Sequence, residues 1–314
     1  MSSPLLEIQN LSVRRGDLQV LEDLSFSVNE GEIFGLLGPN GSGKSTTFSI
    51  IAGLLQAQQG SLLFRGKTIE GGAKSLLGEV GVVFQNPSLD PNLSARENLE
   101  MTATLYRVPK KDRVQRIDDL LRLADLIDRA DERVSTYSGG MKRRLELARS
   151  LIHNPKILIM DEPTTGLDEA AFQRTWRRLK ELQNQRGLSI LLSTHRPEEA
   201  AFCDRIGFIL GGKLITCDTP QALQSQVSGD QISIQCTHPS SIVERLQKNL
   251  NLQSCIVDNH VHLRCEDNQQ GHTLIPKIME IMEQGEVQSI QMSRPHLGDV
   301  FLHLTGEVLS EEDS

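Results

Sequence analysis

Nine residues, Gly38-Pro39-Asn40-Gly41-Ser42-Gly43-Lys44-Ser45-Thr46, constrain the fold of this chain more tightly than any other stretch. They fill the pattern G-x-x-x-x-G-K-[ST], and their flanks supply the context it requires. Glu32 to Leu37 is an apolar run that reads as a buried strand, and Thr46 to Leu55 has apolar residues at helical spacing. Without a Cβ at positions 38, 41 and 43 the backbone can wrap an anion and aim N–H groups at it, and the helix N-terminus behind adds a favourable dipole. Pro39, Asn40, Ser42 and Thr46 complete this phosphate cradle. Lys44 supplies a mobile positive charge for the β- and γ-phosphates of a nucleotide, and Ser45 a hydroxyl for Mg²⁺.

The segments on either side extend an α/β pattern. Leu5 to Val13 and Asp23 to Val28 alternate as strands around Arg15-Gly16-Asp17; Gly60 to Gly66 and Glu79 to Gln85 read as further strands, the last ending on a polar residue. Ser94-Ala95-Arg96-Glu97 fits a capping box and opens a charged, helix-rich region, which predicts a helical subdomain over about 88–136. At Ser138-Gly139-Gly140 a serine and two glycines again precede a helix, a second anion-binding helix start. Ile157 to Met160 is wholly apolar, as expected of a strand covered on both faces, and it ends in Asp161-Glu162. Those carboxylates therefore fall at the carboxyl end of a central strand, where open α/β sheets place their ligands. A helix over Glu169 to Arg186, a strand over Leu188 to Ser193 and the polar pair Thr194-His195 follow. Thr219-Pro220 starts another helix, and Gln224 to Asp230 reads as a linker. Beyond it, Ile232–Cys236, Ser240–Leu250, Gln253–Val257, Val261–Cys265, Thr273–Gln284 and Val287–Met292 give the order β-α-β-β-α-β of a ferredoxin-like α+β domain. The domains expected are thus 1–225 and 230–314.

Bulk properties exclude several classes. No run approaches the roughly 20 apolar residues of a spanning helix, and no basic-then-apolar leader opens the chain, so a cytoplasmic location is expected. A net charge of −8 offers no general attraction to nucleic acid. All five cysteines lie in the last third without a C-x-x-C pair and read as free thiols. Lys142-Arg143-Arg144 reads as a solvated helix face, because no aromatic platform accompanies it. His260 and His262 share a strand face but lack a third ligand nearby, which favours no metal there.

Taken together, the phosphate loop, Gln85 after a strand, Ser138-Gly139-Gly140-Met141, Asp161-Glu162, Gly166-Leu167-Asp168 and His195 resemble the ATP-binding cassette (ABC) family in order and spacing, over roughly residues 5–220. The resemblance implies an α/β P-loop ABC ATPase core with an antiparallel β subdomain and a helical subdomain, here followed by the small α+β domain. It also implies roles: Lys44 and the loop amides hold phosphates, Ser45 binds Mg²⁺, Asp161 supports the metal, and Glu162 orients or activates the attacking water. Gln85 senses metal and water, His195 contacts the γ-phosphate, and Ser138, Gly139, Gly140 and Asp168 act at the contact with a second copy. Phosphoryl transfer to water asks mainly for such positioning and charge stabilisation.

Two departures from the family pattern stand out. Arg15 occupies the place where many members carry an aromatic ring to stack on adenine; a guanidinium can also stack on a base. Met141 replaces the more frequent glutamine. The segments Tyr137 to Arg144, Asp161 to Asp168 and Gly298 to Gly306 are similar to the daunorubicin-resistance and nodulation type of exporter ATPase. That type implies a homodimer sandwiching ATP, attached to the inner face of the membrane through a separate permease, with Asn86 to Asn98 at the docking groove. The competing class is a soluble ABC ATPase acting on nucleic acid or the ribosome; a single cassette, no zinc motif and an acidic balance stand against it.

Overall fold

The computed structural model describes residues 4–69, 76, 78–85, 88–227, 231–257, 260–264, 271–282, 285–293, 295–307 and 309. Two compact units divide the chain, Met1–Pro220 and Gln221–Val308.

The first unit opens with a long hairpin, β1 (Pro4–Arg15) and β2 (Leu18–Asn29), turned at Gly16 in the left-handed region. β3 (Ile33–Leu37) leads through the glycine-rich loop into α1 (Lys44–Ile51), and β4 (Gln59–Phe64), β5 (Lys67–Thr68) and β6 (Val80–Val83) follow. α2 (Ala95–Leu105) and α3 (Lys110–Leu123), with short 3₁₀ turns at Ile127–Arg129 and Val134–Thr136, form the helix-rich region. The capping box forms as expected: the Glu97 amide donates to Ser94 Oγ (3.2 Å) and the Ser94 amide to Glu97 Oε2 (2.7 Å). Then come α4 (Gly139–Ser150), β7 (Ile157–Asp161), α5 (Glu169–Arg186), β8 (Ser189–Thr194), α6 (Pro197–Ala200), β9 (Arg205–Leu210) and β10 (Lys213–Asp218); α7 (Pro220–Ser225) begins at the unit boundary, belongs to the second unit from Gln221 on, and enters the stretch read as linker.

These strands make two sheets. One is antiparallel, in the order β2-β1-β4-β5; the other has six strands, β10-β9-β3-β8-β7-β6, parallel except for the β9–β10 hairpin. β3, β7 and β8 are buried at every residue, which is why residues 33–37, 157–160 and 190–192 run apolar without alternation. One core joins the two sheets: Leu6, Ile8, Leu21 and Phe26 of the antiparallel sheet pack with Phe48 and Ile51 of α1 and with Phe34, Ile159 and Leu191 of the parallel one. Phe26 stacks on Phe34 with centroids 5.1 Å apart.

Register then places the chemistry. Val83 pairs with Met160, Asp161 with Ser193, and Leu37 with Thr194, so β6, β7, β8 and β3 end at one edge of the sheet. The residues that continue those four strands are Gln85, Glu162, His195 and the loop starting at Gly38. A ladder bond from the Gly38 amide to the Thr194 carbonyl (3.2 Å) carries the pairing into the loop itself.

The second unit contains β11 (Gln231–Cys236), α8 (Pro239–Leu250), β12 (Ser254–Val257), β13 (His260–Arg264), α9 (Gly271–Glu280), β14 (Val287–Ser293) and α10 (Leu297–Thr305). Its antiparallel sheet runs β12-β13-β11-β14, the ferredoxin-like order, with Ile232, Ile234, Val261 and Leu263 packed on Ile242, Leu246, Leu274 and Ile278 of the helices. Among the described residues Cys203, Cys217, Cys236 and Cys255 are free thiols, and Cys265 lies outside them. His260 and His262 have ring centroids 6.3 Å apart, and no group of three metal-ligating side chains occurs among the described residues.

Candidate functional site

The loop between β3 and α1 is shaped by two close approaches. A Cβ on Gly38 would collide with the Ile209 carbonyl oxygen, and one on Gly43, which has φ 105°, would lie 2.6 Å from Leu21 Cδ2. Lys44 is buried and folds back, Nζ donating to the carbonyls of Gly38 (2.8 Å) and Pro39 (2.9 Å). Burial pushes its ammonium pKa down, while the charges of Glu162 and Asp161 act in the opposite direction. The Ser42 hydroxyl is buried without a hydrogen-bond partner, a polar atom left facing the loop interior.

Around this loop opens a cleft of about 910 Å³ lined by Arg15, Asn40, Gly41, Gly43, Lys44, Ser45, Thr46, Gln85, Glu162 and His195, together with Leu18 and Val20. The expected catalytic side chains therefore converge. Glu162 is their centre: Gln85 Nε2 donates to its Oε2 (3.2 Å), Thr165 Oγ1 reaches the same oxygen (3.3 Å), and His195 Nδ1 lies 3.2 Å from Oε1. The His195 contact is the largest influence holding the Glu162 carboxyl below the usual carboxylate range, against its partial burial. Its backbone is left-handed (φ 46°), a conformation costly for a residue with a side chain, and its amide donates to Ser193 Oγ (3.1 Å). Ser193 Oγ also donates to Asp161 Oδ1.

Oxygen donors of the kind Mg²⁺ prefers gather here. The Ser45 hydroxyl is exposed and makes no hydrogen bond among the described residues, the Gln85 amide oxygen is left over once its nitrogen is engaged, and Asp161 closes β7. Few carboxylates surround them, so an ion would need phosphate oxygens to complete its shell, the usual mode for Mg²⁺ at nucleotides.

Ser138, Gly139, Gly140 and Asp168 do not line this cleft. Ser138 caps α4, accepting from the Met141 amide (3.3 Å), and Asp168 caps α5, accepting from the Ala171 amide (2.7 Å). Ser138, Gly140 and Asp168 instead line a separate cleft of about 290 Å³ between α4 and α5. A Cβ on Gly139 or Gly140 would meet nothing within 4 Å, so packing inside this chain does not require either glycine.

The reading of Lys142-Arg143-Arg144 as a solvated face is overturned at Arg143. Its side chain is only 13 % exposed and turns inward to the ends of β6 and β7. The sequence signal that could have exposed this is Glu146, a carboxylate between Leu145 and Leu147 one turn on, buried at 1 % exposure and paired with Arg143 at 3.3 Å. Thr165, Ser193, Leu18 and Val20 also escaped the sequence reading, since nothing marks a hydroxyl or a hairpin aliphatic as site-facing before the register is known.

The family model described as ABC transporter matches residues 21–165. The chain is 37 % identical to a Nod factor export ATP-binding protein I of Ralstonia nicotianae, over 99 % of this chain and 96 % of that protein. It is 34 % identical to the linearmycin resistance ATP-binding protein LnrL of Bacillus subtilis, covering 98 % and 100 %. Among solved structures it resembles cbiO1 from Clostridium perfringens, part of the ABC transporter complex cbiONQ (TM-score 0.66, 26 % identity, 79 % of this chain and 96 % of that one). It also resembles the ATP-binding cassette MJ0796 in a dimeric post-hydrolysis state bound to ADP and Pi (TM-score 0.62, 28 % identity, 68 % and 98 %).

Proposed function

This chain belongs to the ABC transporter family as an ATP-binding subunit that couples ATP hydrolysis to transport, and from that premise we propose that it powers an exporter by pairing with a second copy of itself beneath a separate membrane permease. The observation that carries the reading is the Glu162 carboxylate, held by Gln85, Thr165 and His195 in the same cleft as Lys44.

In this reading the loop amides and Lys44 hold the phosphates. Lys44 already spans loop carbonyls, and phosphate oxygens would replace those acceptors. Ser45 and Gln85, with Asp161 behind them, would hold Mg²⁺, which would supply charge neutralisation at the phosphates. Glu162 remains ionised at neutral pH because its pKa is held down, and it accepts a hydrogen bond from the water that attacks. Gln85 fixes that water from the other side, and His195 bridges Glu162 to the γ-phosphate position. Arg15 and Leu18, at the open end of the cleft, take the adenine ring in place of an aromatic platform.

Dimerisation has its own support. Packing within one copy leaves space for a side chain at both signature glycines, and Ser138, Gly140 and Asp168 face a different cleft from the phosphate loop. A second copy approaching closely would use both. Among the described residues no helix is long and apolar enough to cross a membrane, so a permease would be a separate chain. The named relatives' roles in Nod factor export and linearmycin resistance favour export over import.

The test is a pair of variants with a fractionation. Lys44→Ala should lose ATP binding, whereas Glu162→Gln should keep it and lose at least about 100-fold in turnover. Coexpressed with its neighbouring gene products, the tagged chain should sediment with membranes; recovery with ribosomes or DNA instead would support the soluble alternative.

A further inference from the structure

Arg143 uses every N–H of its guanidinium. Nε donates to the Pro163 carbonyl (3.0 Å); Nη1 donates to the Phe84 carbonyl (2.5 Å) and to Glu146 Oε2 (3.3 Å); Nη2 donates to the carbonyls of Asp161 (3.3 Å) and Glu162 (3.2 Å). Four of the five acceptors are backbone oxygens at the carboxyl ends of β6 and β7. Phe84 immediately precedes Gln85, and Asp161, Glu162 and Pro163 are consecutive.

The same helix grips the far side of the Gln85 loop. Ser88 donates its amide to Glu146 Oε1 (2.7 Å), and its carbonyl accepts from Arg149 Nη1 (2.7 Å). α4 thus holds the chain both before and after Gln85. It also holds the carbonyl of Glu162, whose amide Ser193 holds from the other side. Glu162 sits in left-handed backbone, so its peptide needs such clamping to stay where its carboxylate meets Gln85 and His195.

We propose that Arg143 is a positioning residue for hydrolysis, registering the Glu162 and Gln85 backbones to the signature helix so that a displacement of α4 is passed directly to the attacking-water site. No other side chain has the required shape: the planar fork reaches four carbonyls and a carboxylate at once, whereas a lysine has three donors on a point charge. The inference rests on the reading of Glu162 as the residue that orients water.

Arg143→Lys keeps the charge beside buried Glu146 and loses the fork. Its kcat should fall about 10- to 100-fold, the scale of a small misplacement of a reacting group, while the Kd for Mg-ATP stays within about twofold because the phosphate loop is untouched. Lys142→Gln, on the same helix, removes a charge but leaves all five Arg143 contacts in place, and its kcat should remain within about threefold of the parent. If Arg143→Lys is too unstable to measure, Arg143→Gln takes its place with the same expectation, since Arg149, 3.8 Å from Glu146, still balances that carboxylate. Unchanged kcat in the Arg143 variant, an equal loss of ATP affinity, or an equal loss of kcat in Lys142→Gln would each overturn the inference. Glu162→Gln run alongside keeps the two readings apart. An active Glu162→Gln removes the role of Glu162, whereas an inactive one beside a fully active Arg143→Lys removes only the role of Arg143.

Discussion

Glu162 is partly buried and Glu199 almost wholly so, and their pKa values move in opposite directions. Glu162 is held ionised by His195. Glu199, 1 % exposed, is pushed up to about 7 by burial, against hydrogen bonds from Thr194 and Thr164, the latter donating at 3.0 Å. The native protein therefore keeps a proton on Glu199 that the unfolded chain releases near the ordinary 4.5. Between those values stability falls as pH rises, and it levels off above the folded-state pKa, a loss of up to about 3 kcal/mol. Glu199→Gln keeps an acceptor for Thr164 and cannot ionise, so its Tm relative to the parent should climb from about pH 5 to pH 8. A constant difference across that range would show that Glu199 is not the titrating group. The sequence made Glu162 legible because it follows an apolar strand beside Asp161. It left Glu199 silent, since burial of a helix-start glutamate depends on which helix covers it.

Elements were legible where local chemistry closes on itself. α2 announces its start through Ser94 and Glu97, and both reciprocal bonds form. Ser94→Ala should cost about 1 kcal/mol of stability, read as a lower urea midpoint, and an unchanged midpoint would mean that tertiary packing alone sets this helix end. β9 and β10 carried no such signal: Arg205–Leu210 is a short apolar run, and its partner Lys213–Asp218 mixes lysine, threonine and aspartate. Only their pairing, with β9 against β3, identifies them as strands. α4 shows the opposite failure. Its cationic residues suggest a wet face, yet Leu145 to Ala148 are buried and Arg143 points inward. Helical periodicity in a charged stretch does not say which charges have carbonyls waiting for them.

At the scale of the molecule the phosphate loop and the signature segment occupy different clefts, and in the proposed dimer the loop of one copy and the signature of another would together make the working site. Gly140 provides a clean separation of folding from assembly. An alanine there meets no neighbour within 4 Å and removes the backbone penalty of glycine in a helix, roughly 0.5–1 kcal/mol. Gly140→Ala should therefore match or exceed the parent in Tm without nucleotide, yet lose ATP-dependent self-association; a lowered Tm would mean that the glycine serves the monomer. The composite site is tested most directly by sedimentation velocity of Glu162→Gln with and without Mg-ATP, since that variant keeps the groups that bind nucleotide and loses the one that consumes it. A monomer is expected without nucleotide, and a dimer holding one ATP per copy with it. A species that stays monomeric with ATP bound at saturation would contradict it.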